Sequence, residues 1–472
     1  MEKFYIWGEW VSSSIEKDIF HPFDGHSLGS IFLAEPQHID QAILAAQESF
    51  AQTKSLSPYE KVAILDYIVH ELTKQSEDFA QLLVLENGKT IKEARGEITR
   101  TISTFRIARA EAERIDGDSF DLGATAASKN RYGIVKKFPI GIVAGIVPFN
   151  FPLNLAAHKI APALATWCPI IIKPATQTSL SMLRFAHIIA TSWWPLWAFS
   201  VVPCDRVVGQ QLVEDDRISL LSFTGSPDVG WKMKQQAGKK KVVLELWGNA
   251  AVIIDEGQQN RDWVIPRILM WAYYQAGQSC ISVQRIYCHC SHYDMFKEKF
   301  VDAITSLRVG NPLDESTAMG SVIDQKNTDR LQSWIDGAIS HGALCLAWGS
   351  SSGTVLQPTL LENVPFDSEL LTEEAFGPVA ILYPFDSFDD VVSSVNHSKF
   401  GLQVGIFSVS LDHVWQLFEH AEVGGVIHND VPSFRSDSMP YGWVKDSGFG
   451  REWVKYAMKD MLEDKILVIK YE

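Results

Sequence analysis

The chain has 472 residues, 46% apolar and 21% charged, which supplies material for about two to four packed units and excludes the low-hydrophobicity, high-charge composition of disorder. Acidic residues outnumber basic ones by 57 to 42, for a formal charge of −15, and no block of Lys and Arg stands ready to neutralise a run of phosphates. Nucleic acid and anionic membrane are therefore excluded as expected partners.

The opening MEKFYIWGEWVSSS lacks the basic-then-apolar pattern of a signal peptide. Helices are expected over 39–52, 58–74 and 91–112, which are rich in Ala, Leu, Glu and Lys. A polar, alternating stretch follows at 118–137 and reads as a strand outside the main cores. From 141 to 255 short apolar runs (GIVAGIV, PIIIK, FSVV, ISLLSF, KVVLEL, AVIID) alternate with amphipathic segments after Pro152, Ser179 and Ser226, the mark of βαβ units around a buried parallel sheet. The longest apolar region, 139–172, is broken by Pro148, Asn150, Pro152, Asn154, His158 and Lys159, so no membrane span is expected. A second βα series is expected from strand 283–290 through helices 293–307 and 325–341 to strands 355–361 and 379–384. The end, 465–471, reads as another exposed strand, and such edges seek a partner. Six scattered Cys do not make a disulfide framework, and the expected setting is the reducing cytoplasm.

Ligands of a doubly wound sheet sit at the carboxyl ends of its strands, where helix N-termini offer unpaired N–H groups. Phe223, Thr224, Gly225 and Ser226 lie at such a turn, although a helix cap by Ser226 explains them equally well. A G-x-G-x-x-G fingerprint is absent, which argues against an ordinary Rossmann dehydrogenase. The segments PFNFP at 148–152, IIKPAT at 171–176, LEL at 244–246, GQSC at 277–280, EEAFGP at 373–378 and PYGWVKDSGFGRE at 440–452 are more specific together. In that order they resemble the aldehyde dehydrogenase superfamily across nearly the whole chain.

The resemblance implies an α/β fold of two doubly wound domains plus a small β oligomerisation extension. The implied division is a cofactor-binding domain (1–117 and 139–246), a catalytic domain (247–440) and the extension (118–138 and 456–472), assembled as a homodimer or homotetramer. It also implies NAD(P)-dependent oxidation of a small aldehyde to its carboxylate. A thiolate attacks carbonyl carbon most readily, and Cys280 is the implied nucleophile. The Asn150 amide and the Cys280 N–H would form the oxyanion hole, and Glu245 would be the general base that cleaves the thioester. For NAD or NADP, the resemblance implies Lys173 on the adenosine ribose, Gly225 and Ser226 near the pyrophosphate, Glu374 on the nicotinamide ribose, and Phe376 and Phe149 beside it. Thr176 stands where many NAD-preferring members carry Glu, and Thr does not repel a 2′-phosphate.

Arg106, His158, Arg285 and Arg435 are the candidate substrate residues, since Arg grips phosphonate, sulfonate, phosphate and carboxylate in a bidentate manner. The segment around Arg435 is similar to the branch acting on phosphonoacetaldehyde, succinate semialdehyde, lactaldehyde and glyceraldehyde 3-phosphate. Two other readings stand beside this one: a coenzyme A-acylating enzyme, which would make Glu245 dispensable, and a catalytically impaired scaffold of the same fold. The latter arises because Trp247, Trp443 and Trp453 occupy family glycine positions. Either the cofactor pocket is remodelled, or the expressed polypeptide carries Gly there, the two codons differing by a single base. Three replacements of one kind favour glycine. Cys288, His289 and Cys290 lack a second ligand pair at zinc-like spacing, so no metal is expected, and Cys168, Cys204 and Cys345 read as structural.

Overall fold

In the computed structural model, which describes residues 1–258, 262–347 and 349–472, two large sheets carry the molecule. The first has eight strands, in the order Glu9–Val11, Phe4–Ile6, Phe199–Val201, Ile170–Lys173, Ile142–Ile146, Ile218–Thr224, Lys241–Glu245 and Gly448–Phe449. Its five central strands are parallel, while the N-terminal hairpin and the strand near the C-terminus close its edges antiparallel. Strands such as Ile142–Ile146 are buried along their whole length, as expected where helices cover both faces.

The long helices pack by their apolar stripes. Helix Ile91–Ala112 buries Ile91, Ala94, Ile98, Thr101, Ile102, Phe105, Ala108 and Ala112, a three-to-four spacing that keeps one face inward. Its start is fixed by a capping box in which the Thr90 side chain accepts from the Glu93 N–H and the Glu93 carboxylate accepts from the Thr90 N–H. Helix Pro58–Lys74 is capped in the same way by Ser57 and Glu60.

The second sheet has seven strands, in the order Leu344–Ala347, Thr359–Glu362, Val379–Phe385, Arg285–His289, Ala251–Ile254, Gln403–Phe407 and Gly425–His428. Strand 251–254 thus pairs with 285–289 and 403–407, not with the series that precedes it in the chain. The expected strand at 355–361 is two pieces, Val355–Leu356 and Thr359–Glu362, with Pro358, which lacks the N–H a ladder needs, at the break.

The two leftover stretches meet. Leu462–Lys470 pairs along its whole length with Arg131–Pro139, and Ser119–Asp121 adds a third strand. Ile466, Leu467, Val468, Ile469 and Tyr471 are exposed there. No helix among the described residues is long and apolar enough to cross a membrane.

Candidate active site

Four neighbouring strands of the first sheet end at one cleft. The strand ending at Ile146 runs into Val147–Asn150, the next ends on Lys173, a third on Thr224 and the fourth on Glu245. A cavity of about 650 Å³ lies there, within the roughly 300–1,000 Å³ common for cofactor sites. It is lined by Phe149, Lys173, Thr176, Gly225 and Ser226 from this side and by Glu374 and Phe376 from the second sheet's loops. Ser226 is the N-cap residue of helix Pro227–Gln236, yet its side chain makes no capping bond, and Thr176 lies within a short 3-10 turn and caps nothing. Both side chains are left to face the cleft. The Glu374 carboxylate accepts from the Gly248 N–H at 3.2 Å through one oxygen, while its buried second oxygen has no partner. Burial holds Glu374 well above the usual carboxylate range. An unpaired acceptor in such a cleft fits the hydroxyls of a ribose.

Beside the cleft the Cys280 thiol donates to Glu245 Oε1 at 3.2 Å and lies 3.5 Å from the Tyr441 hydroxyl. Burial, with the Glu245 charge second, pushes the thiol well above its ordinary value, while the Arg435 cation pulls the other way. Burial and the Glu452 charge push Glu245 up to about 6 against the opposing cations Arg435 and Lys159. The Asn150 amide donates to Gln278 O at 3.0 Å, two residues from Cys280, and its buried carbonyl oxygen is unpaired. The Cys280 N–H has no hydrogen-bond partner among the described residues. The turn before Cys280 holds Gln275, Ala276 and Gly277 at φ of 53°, 50° and 69°. A Cβ on Gly277 would lie 1.9 Å from Gly377 O, so only glycine fits.

Residues 10–467 match the aldehyde dehydrogenase family model. The chain belongs to the aldehyde dehydrogenase family. It is 36% identical over 466 residues to 3-sulfolactaldehyde dehydrogenase of Priestia aryabhattai, covering 98% of this chain and 97% of that one. Among solved structures it is similar to aldehyde dehydrogenase 21 from Physcomitrella patens, in complex with the reaction product succinate. That match has a TM-score of 0.97 at 43% identity, over 99% of this chain and 98% of that one. It is also similar to glyceraldehyde-3-phosphate dehydrogenase GapN from Methanocaldococcus jannaschii, complexed with NADP, at a TM-score of 0.92 and 32% identity, over 97% of this chain and 100% of that one. The protein is an NAD(P)-dependent dehydrogenase of small aldehydes with the aldehyde dehydrogenase fold.

The dehydrogenase corrects two of the four expected substrate residues. Arg106 is exposed on helix Ile91–Ala112. Arg100, six residues earlier and so rotated by roughly 240° about the helix axis, is the arginine that faces inward, with a wholly buried, unpaired Nη2. Arg285 is buried but donates to Asn249 O at 2.8 Å and Ser394 O at 3.2 Å. It lines a separate cavity of about 570 Å³ beside Phe366, His397 and Lys399. Cys280, Glu245 and Asn150 do not line that cavity.

His158 and Arg435 do come together with Arg100. Both ring nitrogens of His158 are buried without partners, and its imidazole sits 4.3 Å from the Trp453 ring. Burial, with Arg100 and Arg435 second and third, holds His158 well below its ordinary value, so it is neutral. The Arg435 guanidinium lies 5.5 Å from the Tyr441 ring and 5.6 Å from Trp453, and that of Arg100 lies 5.8 Å from Trp453. Neither arginine has an ion-pair partner among the described residues.

Arg100, Tyr441 and Lys159 were not named as site residues from the sequence, whereas Trp247, Trp443 and Trp453 were singled out there. Tyr441 lies inside a quoted motif, so its signal was available. Lys159, which bonds Glu452 at 2.9 Å and the Ser222 and Thr224 hydroxyls, is a Lys on a fully buried helix. Trp247 lines the cofactor cleft. Trp453 has φ 86° and ψ 152°, backbone that is essentially glycine's alone, while Trp443 is buried against Tyr441 without positive φ. Cys168 and Cys204 are buried, whereas Cys345 is exposed.

Proposed function

We propose that this dehydrogenase oxidises a short aldehyde bearing an anionic group to its carboxylate, using Cys280 as nucleophile, Asn150 and the Cys280 N–H as oxyanion hole, and Glu245 as base. The observation that carries the chemistry is the 3.2 Å contact between the Cys280 thiol and Glu245, a carboxyl raised to about 6 and therefore mostly ionised at neutral pH yet basic enough to take a proton. The Cys280 S–H proton passes to Glu245 as sulfur bonds to the aldehyde carbon, and the resulting alkoxide is held by the Asn150 amide and the Cys280 N–H. The nicotinamide dinucleotide supplies the hydride acceptor, held by Lys173, Gly225, Ser226, Glu374, Phe376 and Phe149. Loss of hydride from the alkoxide carbon to that acceptor would leave a thioester on Cys280; Glu245 releases its first proton to solvent and, ionised again, takes a proton from water as that water attacks the thioester carbon. The C–S bond breaks, the carboxylate leaves and the thiol is restored. A buried base beside the thiol supports hydrolysis over transfer to coenzyme A, and its assembly with Cys280 and Asn150 weighs against a scaffold without activity.

The anionic group is supported by Arg100 and Arg435, which flank His158 and form no close ion pair among the described residues, although the charges of Asp437, Glu97 and Glu245 act on them from farther off. On Arg100 the repulsion of Arg435 outweighs the attraction of either Asp437 or Glu97, so a further anion joining this part-buried cluster is favourable. The relatives' names point the same way, through 3-sulfolactaldehyde, glyceraldehyde 3-phosphate and the product succinate. We further propose self-association through the exposed apolar strand at 462–470, a cytoplasmic setting suited to six free thiols, and the division of the chain at 117, 139, 246 and 440 given above. The test is absorbance at the reduced-nicotinamide band with both cofactors and a panel of short aldehydes. Faster oxidation of sulfonate, phosphonate or carboxylate aldehydes than of neutral ones of equal length is expected, and equal rates would overturn the anionic reading.

A further inference from the structure

The loop that carries Asn150 and the turn that carries Cys280 come from distant parts of the chain, and one buried group touches both. Lys89 follows the left-handed Gly88 that ends helix Ser76–Asn87, and its side chain is wholly buried. Its ammonium forms an ion pair with Glu97, donates to Asn150 O at 2.7 Å and donates to Gln275 Oε1 at 3.2 Å. The Gln275 amide donates in turn to the same Asn150 O and to Asn87 Oδ1 at 3.3 Å, while Asn87 donates to Phe149 O at 2.7 Å. Glu97 completes the frame from the other side. Its Oε1 accepts from the Leu153 and Asn154 N–H groups at 3.0 and 3.1 Å, at the start of helix Asn154–Ala165. Glu93, one turn before Glu97 on the same helix face, accepts from the Gln275 N–H at 2.5 Å.

We infer that Lys89, with Glu97 and Gln275, is a positioning residue that fixes the Asn150 amide relative to the Cys280 sulfur. The cluster does not touch substrate, and the nearest reacting atom is reached only through Asn150 or the 275–280 turn. Its three polar side chains satisfy each other and the backbone of both loops, so a solely packing role would not require a cation here. A buried cation is costly unless it is hydrogen-bonded on every side. The strained turn at Gln275 and Ala276, with φ of 53° and 50°, persists because the Gln275 N–H and side chain are both held. An oxyanion donor works only when aimed at the developing charge, and a shift of about 1 Å can cost about a hundredfold in rate.

This rests on the reading of Asn150 as oxyanion donor, and the experiment separates the two. Lys89→Gln leaves Glu97 as an uncompensated buried charge and risks the fold, so Lys89→Gln/Glu97→Gln is the second variant, with Asn150→Ala and Glu97→Asp in parallel. The pre-steady-state burst of reduced cofactor, steady-state kcat, the KM for cofactor and the thermal midpoint are measured for each. The double variant is expected to lose about tenfold to a hundredfold in burst rate and kcat, with the cofactor KM and the midpoint close to the parent, and Glu97→Asp to retain most of the rate. A normal burst in the double variant while Asn150→Ala is slow overturns the inference. So does a fall in kcat matched by a raised cofactor KM and a lowered midpoint. A normal burst in Asn150→Ala overturns the oxyanion reading itself.

Discussion

Replacing Glu245 by Gln keeps the shape of a fully buried side chain and removes its basicity. With the carboxyl raised to about 6 in the folded enzyme, about nine in ten molecules hold it ionised at pH 7 and about one in ten at pH 5. The base acts when ionised, so kcat/KM of the parent should fall about tenfold from pH 7 to pH 5, with the midpoint near 6. In Glu245→Gln this acid limb should vanish and steady-state turnover should drop by about 10²–10⁴-fold. Stability should move the other way. The folded-state value lies above the ordinary 4.5, so the folded state binds the proton more tightly; stability is greatest at low pH and is lost as pH rises from 4.5 through 6, by about 2 kcal/mol. Gln carries no such cost, so the variant's thermal midpoint near neutral pH should equal or exceed the parent's. Stopped-flow absorbance across pH 5–8, paired with thermal melts, reads both effects (roughly the span of the titration). Unchanged turnover, or an acid limb that survives in the Gln variant, would refute the assignment of the base.

Arg100→Gln should raise the KM for an anionic aldehyde by about tenfold or more, leaving a neutral aldehyde of the same length nearly unaffected, while Arg106→Gln changes neither. Equal effects of the two on steady-state kinetics would remove Arg100 from the chamber. Thr176→Glu should weaken NADP far more than NAD, since a carboxylate repels the 2′-phosphate; parallel titrations of the two cofactors check this, and equal losses count against it. Trp7, Trp167, Trp193 and Trp453 sit at φ of 59°, 65°, 64° and 86°, backbone that costs a bulky residue about 1–3 kcal/mol each. Glycine at these positions is the outcome expected from the intact mass of the polypeptide made in its native host, and a mass matching tryptophan at all four would contradict it.

Cys280, Glu245 and Asn150, the proposed nucleophile, base and oxyanion amide, could be singled out because each lies in a short motif and the motifs in order resemble one family. So could the proposed cofactor residues Lys173, Gly225 and Ser226, which lie at strand ends, whereas Glu374 and Phe376 follow a short helix and rested on their motif alone. Arg106 was misread because a motif neighbourhood does not give helix phase; counting from the buried Glu93 and Glu97 would have reached Arg100 instead. Sheet membership was also hidden. An apolar run such as 251–254 announces a buried strand, but nothing in its pattern says which sheet it joins, and here it pairs with 285–289 and 403–407. The Lys89 cluster was illegible for a similar reason, since its partners at 97, 150 and 275 meet only when the loops fold together.

Mass spectrometry of Glu245→Gln, mixed with aldehyde and oxidised cofactor and quenched in acid within the first turnover, tests the central claim most directly. An acyl group, one per chain, is expected on the peptide that contains Cys280, because a thiol ionises far more readily than water, so that losing Glu245 slows the attack by Cys280 less than it slows hydrolysis of the thioester. An acyl group on any of the other five cysteines, or reduced cofactor formed with no acylated chain, would contradict it.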